Sequence, residues 1–222
     1  IDGLPLTKSS NSQFWPVLGS IVNVISNPPF VIGVYHGFKK PHNAKEILNE
    51  FVEEILTLEY NFTYCGKKVK ITISRIICDA PAKSFVLGIK GHNSYFGCMK
   101  CTVEGDFINN RMSFRDLQCI LRTDNAFRNN HYDDYHISET PLKKLSIDLI
   151  EQFPLDYMHL VCLGVMKRLM IFWVKGNCSV RLNQNDQNQI ESSLNEFRKC
   201  LSYRDFSRLP RKFSDFEKWK AT

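Results

Sequence analysis

The chain has 222 residues, of which 43% are hydrophobic and 23% charged, and its net charge is +6. This composition is typical of a globular protein with a substantial core and excludes a disordered chain. The basic balance permits polyanion binding without requiring it. The first residues lack a signal-peptide pattern, and the apolar run Leu160 to Val174 is interrupted by Lys167 and Arg168. The sequence therefore predicts a reducing compartment and no membrane partner.

Three short apolar runs open the chain and predict strands. They are Ile1 to Leu6, Trp15 to Ile25 and Phe30 to Tyr35, and polar or proline-rich turns separate them. Strands in such close succession favour an antiparallel meander. The first run reads as the second half of a strand, and residues 217–222 stop inside a polar helical pattern, so we expect the chain to be a fragment of a longer protein.

The segment Asn43 to Glu59 changes to a helical period. Asn43 can serve as the N-cap, and Glu46 stands three residues later, which completes a capping box. One apolar stripe runs along the segment. Its members are Ile47, Leu48, Phe51, Ile55 and Leu58. The pattern predicts an amphipathic helix.

A turn centred on Cys65-Gly66-Lys67 predicts a hairpin, and the apolar run from Val69 then reads as a strand that ends at Asp79. Pro81 suits the first turn of a following helix. Asp79 is therefore either a helix cap or a metal ligand. Asp2 is either a turn former before Gly3 or a second ligand, because two carboxylates on neighbouring strands can hold a divalent cation.

The chain has eight cysteines, and Cys98 and Cys101 form its one Cys-x-x-Cys pair. Two thiols at this spacing supply half of a structural zinc site, with a redox pair and incidental thiols as the alternatives. His159 and Cys162 are the best candidates for the other ligands. The reserves are His136, His131, His92 and Asp156.

Residues 102–141 are polar with little periodicity, which predicts irregular structure that needs a support. From Pro154 an apolar helix follows, on which Asp156, His159 and Cys162 fall three residues apart. A histidine on such a helix is either a ligand or a hydrogen-bonded residue whose ring Asp156 holds. A last amphipathic helix is predicted to begin near Asp186.

Three segments, in this order, resemble the catalytic core of transposases of the CACTA (En/Spm) type: IDGLPLTKSSNSQFWPVL, CDAPAKSFVLGIKGHNSYFGCMKC and LDYMHLVCLGV. Related proteins carry an S-D-G-x-x-P start followed by W-P, an N-D-x-P-A segment that leads to C-P-x-C, and a D-x-M-H helix. The likeness spans Ile1 to Met170. It implies an α/β fold, with an RNase H-like mixed sheet flanked by helices, and Mg²⁺-dependent DNA cleavage and strand transfer.

The resemblance implies specific roles for the matching residues. Asp2 and Asp79 become the first and second catalytic acids of a DDE/D site that binds Mg²⁺ or Mn²⁺, and Asp156 with His159 matches the D-x-x-H element, which supports the site or binds metal. No residue matches the third acid. Its region holds Glu191, Glu196 and Glu217. We therefore expect this fragment alone to be inactive.

The resemblance also implies an organisation and a setting. Residues 1–97 would form the RNase H-like core, 98–153 a zinc-binding irregular insertion, 154–176 the D-x-x-H helix, and 177–222 the truncated start of a helical insertion. The implied partners are transposon-end DNA, target DNA and further copies of the chain, in the nucleus. The alternatives are a domesticated, non-catalytic DNA-binding or regulatory protein supported by zinc, and another RNase H-like nuclease.

Overall fold

A computed structural model describes residues 1–6, 11–22, 28–132, 134–202, 204 and 208–219. The chain is a mixed α/β protein, as predicted, and the described residues form antiparallel sheets of three, two and two strands together with several helices. It divides into two compact units, Ile1–Pro154 and Leu155–Thr222. Every described strand belongs to the first unit.

The largest sheet is the predicted meander. Strands β1 (Leu4–Pro5), β2 (Gln13–Gly19) and β3 (Phe30–Gly37) pair in chain order, and both pairings are antiparallel. Strand β2 ends at Gly19, whereas the predicted strand runs to Ile25. Residues 23–25 of the predicted strand lie outside the described part of the chain. At Gly19 a side chain would come within 2.8 Å of the Phe30 ring across the sheet. A side chain at this position would therefore require the exposed Phe30 ring to shift.

Helix α1 (Lys45–Asn61) confirms the predicted amphipathic helix, and its Leu48 and Val52 are fully buried. The capping differs by one residue from the prediction. The Asn43 side chain accepts a hydrogen bond from the Lys45 backbone at 2.9 Å, and Glu46 accepts one from His42 at 3.3 Å. The Asn43 side chain thus satisfies one donor of the first turn, and Glu46 bonds to the backbone just before the helix.

The predicted hairpin is also present. Strands β4 (Thr63–Tyr64) and β5 (Lys67–Lys68) are joined by Cys65 at φ 50° and Gly66 at φ 74°. Two successive residues with positive φ are typical of the type I′ turn, whose twist matches a two-residue hairpin. The Val69 amide donates to the Phe62 carbonyl at 2.9 Å and extends the ladder by one bond.

The predicted strand from Val69 to Asp79 is wrong in one respect, because it joins no sheet among the described residues. Instead of a neighbouring strand, Gln152 forms hydrogen bonds with the backbone of this segment. The Gln152 side-chain amide donates to the carbonyls of Ile73 (2.5 Å) and Ser74 (3.1 Å), and the Ile76 amide donates to the Gln152 carbonyl at 2.8 Å. A mixed sheet is accordingly not confirmed.

Residues 98–153 contain more regular structure than predicted. They form β6 (Asp106–Ile108), β7 (Arg111–Ser113), α3 (Asp124–Arg128) and a 3-10 helix at Pro141–Lys144. The β6–β7 turn places Asn109 and Asn110 at φ 49° and 60°. Asparagine tolerates this conformation, so the Asn-Asn pair was a turn signal.

One hydrophobic core supports this region. Met99, Phe127, Tyr135 and Phe153 are buried in the same cluster as Leu48 of α1. The polar segment between residues 102 and 141 is therefore anchored by its aromatic residues, which pack into the core of the first unit. This anchoring supplies a support that requires no metal.

The second unit is helical. A π-helix at Tyr157–Met166 leads into α4 (Lys167–Lys175), and α5 (Gln184–Cys200) and a 3-10 helix at Phe213–Lys218 follow. Met170, Phe213 and Phe216 form its small core. The predicted last helix is present and starts at Gln184, near Asp186. Its N-cap is Asn183, which accepts a hydrogen bond from the Asp186 amide at 2.9 Å.

One helical stretch in the described residues, Tyr157–Lys175, is long and apolar enough to cross a membrane by length and composition alone. Its 19 residues have a mean hydropathy of 1.4 in the most apolar window. The prediction that no apolar run reaches this length is therefore wrong, because Lys167 and Arg168 interrupt neither the helix nor its overall apolar character.

Candidate functional site

Asp79 occupies the N-cap of helix α2 (Ala80–Leu87), which begins as Pro81 predicted. Its Oδ1 accepts a hydrogen bond from the Ala82 amide at 2.7 Å, and its backbone is extended. The cap alternative is thus observed. A carboxylate has further lone pairs, and no described residue bonds to Oδ2 of Asp79. The cap therefore leaves half of the carboxylate available to a ligand.

Asp2 lies beside the segment that carries Asp79. The backbone nitrogen of Ile1 donates to the Ile77 carbonyl at 3.0 Å, although the two residues are 76 positions apart. Oδ1 of Asp2 accepts from the Gly3 amide at 2.7 Å. A side chain at Gly3 would come within 2.8 Å of the Trp15 ring, so glycine is needed where the opening segment passes over this tryptophan.

Both carboxylates act on one buried thiol. Burial raises the pKa of Cys78 to about 11; Lys83 lowers it, and Asp79 and Asp2 raise it. The negative charges of Asp2 and Asp79 are therefore both close enough to Cys78 to affect its ionisation. The structure thus places both predicted acids within electrostatic range of Cys78, and no hydrogen bond among the described residues joins the two carboxylates to each other.

Lys83, one turn after Asp79 on α2, was not predicted as a site residue. It is only 3% exposed, and its Nζ donates to the Phe153 carbonyl at 2.7 Å. Burial, followed by repulsion from Lys100, lowers the pKa of Lys83 to about 8. The signal for it was the spacing of four residues from Asp79, which places both on one helix face.

The lowered pKa of Lys83 predicts a pH-dependent stability. Between pH 8 and the usual lysine pKa of 10.5, the unfolded chain binds more protons at this group than the folded chain. Stability should therefore rise with pH in this window, by about 1 kcal/mol for the first pH unit. Above pH 9 the raised pKa of Cys78 opposes the rise, because the unfolded thiol ionises first.

Urea unfolding at pH 8 and pH 9 measures this effect. Lys83→Met should abolish the rise, whereas Lys39→Met, at an exposed lysine, should retain it. An unchanged pH dependence in Lys83→Met would show that another group is responsible.

Cys98 and Cys101 lie side by side, with their Sγ atoms 3.2 Å apart, and both are half-buried. The residues between them anchor the loop. Met99 is buried in the core, and Nζ of Lys100 donates to the Ile150 carbonyl at 2.5 Å. The predicted pair is therefore held in one place by the packing of its own loop.

Arg122 braces the same loop from the other side and was not predicted. Its Nε donates to the Cys98 carbonyl at 3.0 Å, and its guanidinium lies 3.7 Å from the centroid of the Tyr135 ring. Burial lowers the pKa of Arg122, and burial raises the pKa of Tyr135. A buried guanidinium with carbonyl and aromatic partners orders the loop that presents the thiols.

The reserve ligands of the first unit have other surroundings. The His136 ring packs edge-on against Phe127, with 4.6 Å between ring centroids. His92 and His131 are exposed. In the described part of the chain, no group of three or more His, Cys, Asp or Glu side chains is placed to hold a metal ion.

In the second unit, Asp156 caps the π-helix. Its Oδ1 accepts from the amides of Met158 (2.9 Å) and His159 (3.2 Å), and its Oδ2 contacts Nδ1 of the His159 ring. Burial raises the pKa of Asp156, but the hydrogen bonds from the His159 ring and backbone outweigh it and lower the pKa overall. The structure thus shows Asp156 holding the ring, while Cys162 lies half-buried one turn further on.

The candidate third acids have separate roles in the described residues. Oε2 of Glu191 accepts from the Phe213 amide at 2.5 Å, and Glu217 forms an ion pair with Lys175 at 2.9 Å. Glu196 is exposed on α5. None of these contacts assigns a third acid.

Comparison with protein-family models, with curated proteins and with solved structures finds no match to this chain.

Proposed function

We propose that the chain is the catalytic-core fragment of a DDE/D-type DNA transposase of the CACTA type. The observation that carries the proposal is the bond between Ile1 and Ile77, which brings Asp2 beside the segment of Asp79. Residues so distant in sequence are brought together only by the fold. Metal-dependent phosphoryl transfer requires a pair of carboxylates around the divalent cation, and we propose Asp2 and Asp79 for this pair.

The order of elements supports an RNase H-like fold as part of this proposal. Three antiparallel strands are followed by α1 and then by an extended segment that returns to the start of the chain. In this arrangement Asp2 lies just before strand β1, and Asp79 ends the returning segment. This chain order is the one proposed for the first and second catalytic acids, Asp2 and Asp79.

The carboxylates of Asp2 and Asp79 fit Mg²⁺ or Mn²⁺, because both metals prefer oxygen ligands and Oδ2 of Asp79 has no bond to a described residue. Such ions, when bound, stabilise the charge that develops as water or a DNA 3′-hydroxyl attacks a phosphodiester. The protein fixes the Asp79 carboxylate through the helix cap and excludes water from the adjoining Cys78. Fixing it in advance lowers the cost of ordering the site.

The test is a cleavage and strand-transfer assay of the full protein with labelled element ends, target duplex and Mg²⁺. A transposase should cut at the element ends and join them to the target. Cleavage without joining, or without dependence on the ends, would instead indicate another RNase H-like nuclease. The proposed partners are accordingly transposon-end and target DNA, with a homo-oligomer that joins two ends in the nucleus.

A structural Zn²⁺ forms the second part of the proposal. The neighbouring thiols of Cys98 and Cys101 fit zinc, which thiolates bind well, and their loop is already ordered. The other two ligands are not assigned among the described residues. Bound zinc would add folding energy to the ordered loop.

Metal analysis of protein purified without chelator should give about one zinc per chain. Cys98→Ser and Cys101→Ser should each lose the metal, whereas Cys65→Ser, at an exposed cysteine outside the pair, should keep it. Absence of zinc from the unsubstituted protein would refute the site.

A non-catalytic, domesticated descendant is the second candidate. The helix cap favours it, because the bond from Ala82 explains an aspartate at position 79 without any metal. Such a protein would bind the same DNA and fail the cleavage assay.

A further inference from the structure

The segment that links α1 to Asp79 carries an uncompensated positive charge. Residues 61–75 contain four basic side chains and no Asp or Glu. The four are Lys67, Lys68, Lys70 and Arg75, and all are exposed. Among the described residues none of them forms an ion pair, although other exposed lysines do so. In the described part of the chain, no direct ion pair therefore neutralises any of these four charges.

The hairpin β4–β5 holds two of these charges, Lys67 and Lys68, on a narrow ribbon, and Lys70 follows two residues after β5. Tyr64 pairs with Lys67, and Thr63 pairs with Lys68. Cross-strand partners project from the same face, so Lys67 lies beside Tyr64 on one face and Lys68 lies on the other. The Tyr64 side chain is 66% exposed. Both faces of the ribbon thus carry a cation, and one adds a phenolic hydroxyl.

We propose that this hairpin, residues 61–70, binds the phosphate backbone of double-stranded DNA. Lysine and tyrosine side chains are frequent phosphate ligands, and a two-stranded ribbon is narrow enough to enter the major groove. With cations on both faces, the ribbon can reach the phosphates of both groove walls. The type I′ turn keeps the charges in place before binding, which reduces the entropy lost on association.

This inference rests on the proposed function in one respect, the position of the contact along the DNA. Lys70 and Asp79 are nine residues apart in an extended segment, which spans at most about 30 Å. At 3.4 Å per base pair, the hairpin would contact the duplex within roughly nine base pairs of the cleaved bond. It would thus bind the duplex at the reacting site or on its near flank.

The first experiment neutralises the ribbon with Lys67→Gln, Lys68→Gln and Lys70→Gln together. Binding of the full protein to a labelled duplex is measured without divalent metal at several salt concentrations. The slope of log K against log salt should fall in magnitude by about 2 to 3, and affinity at low salt should fall at least about tenfold. The matched control removes three charges from ion-paired lysines, as Lys144→Gln, Lys175→Gln and Lys218→Gln.

The control should keep the salt slope of the unsubstituted protein. Equal slopes for both triple variants would overturn the inference. Hairpin-dependent binding that is tighter for single-stranded DNA or RNA than for duplex would overturn the choice of partner. The binding assay needs no catalysis, so it can support the hairpin contact even if Asp79→Asn shows no loss of cleavage. Conversely, if the hairpin substitutions leave DNA binding unchanged, the catalytic proposal is not affected.

A second measurement avoids substitution. Cys65 is exposed at the hairpin turn, and Cys178 and Cys200 are exposed in the second unit. Bound duplex should slow alkylation of Cys65 by iodoacetamide several-fold, relative to both other thiols, as followed by site-resolved mass spectrometry. Equal rates for Cys65 with and without saturating duplex would contradict the contact.

Discussion

Asp79→Asn is expected to reduce metal-dependent strand cleavage by roughly 1000-fold, which corresponds to the several kcal/mol that a charged metal ligand contributes to a phosphoryl-transfer transition state. The fold should be unaffected. Asparagine is as good an N-cap as aspartate and can accept the same hydrogen bond from Ala82. Asp2→Asn should have a similar effect on cleavage and likewise keep its bond from the Gly3 amide.

Two further variants separate charge from structure. Asp79→Ala removes the cap as well and should cost about 1 kcal/mol of unfolding free energy. Asp134→Asn changes a carboxylate that is 74% exposed and 3.9 Å from Lys90, and it should cleave normally. Full cleavage activity in both Asp2→Asn and Asp79→Asn would remove the transposase proposal and leave the non-catalytic alternative.

Arg128→Met should produce a large loss of stability in the first unit, about 3 kcal/mol. The guanidinium donates to the carbonyls of Lys143 (2.6 Å), Leu145 (3.1 Å) and Ile147 (2.5 Å), and it pairs with Asp124 at 2.6 Å. Methionine fills similar space but leaves these carbonyls without their donor, and each such loss costs on the order of 1 kcal/mol or more.

Urea unfolding measures the effect. The control is Arg115→Met, at an exposed arginine of the same unit, which should change stability by less than about 0.5 kcal/mol. A loss below about 1 kcal/mol in Arg128→Met would mean that water replaces the guanidinium at these carbonyls.

The parts of the fold that sequence predicts well are those with a local cause. The stripe of α1 follows from helical periodicity, the β4–β5 turn from Cys65-Gly66, and the start of α2 from Pro81. The β6–β7 hairpin had a local signal as well, in Asn109-Asn110, which the low periodicity of its surroundings obscured.

The contacts that position the candidate site are not local. Gln152 satisfies the backbone of the Asp79 segment, and Lys83, Arg122 and Arg128 donate to carbonyls between 15 and 70 residues away. A polar side chain that bonds a distant carbonyl leaves no period or motif in the sequence. The sequence therefore predicts which acids are candidates, whereas the distant side chains that order the surrounding segments are found only from the fold.

The bonds from Gln152 to the segment before Asp79 also affect the order of folding. They join residues 78 and 79 positions apart, and the Ile1–Ile77 bond spans 76. Long closed loops are slow to form, because their entropy is lost before the contacts repay it. During synthesis the Asp79 segment cannot complete its bonds until Gln152 has left the ribosome. The apolar run Ile76-Ile77-Cys78 therefore stays without its final partners over this interval, in which chaperone binding or aggregation competes with folding.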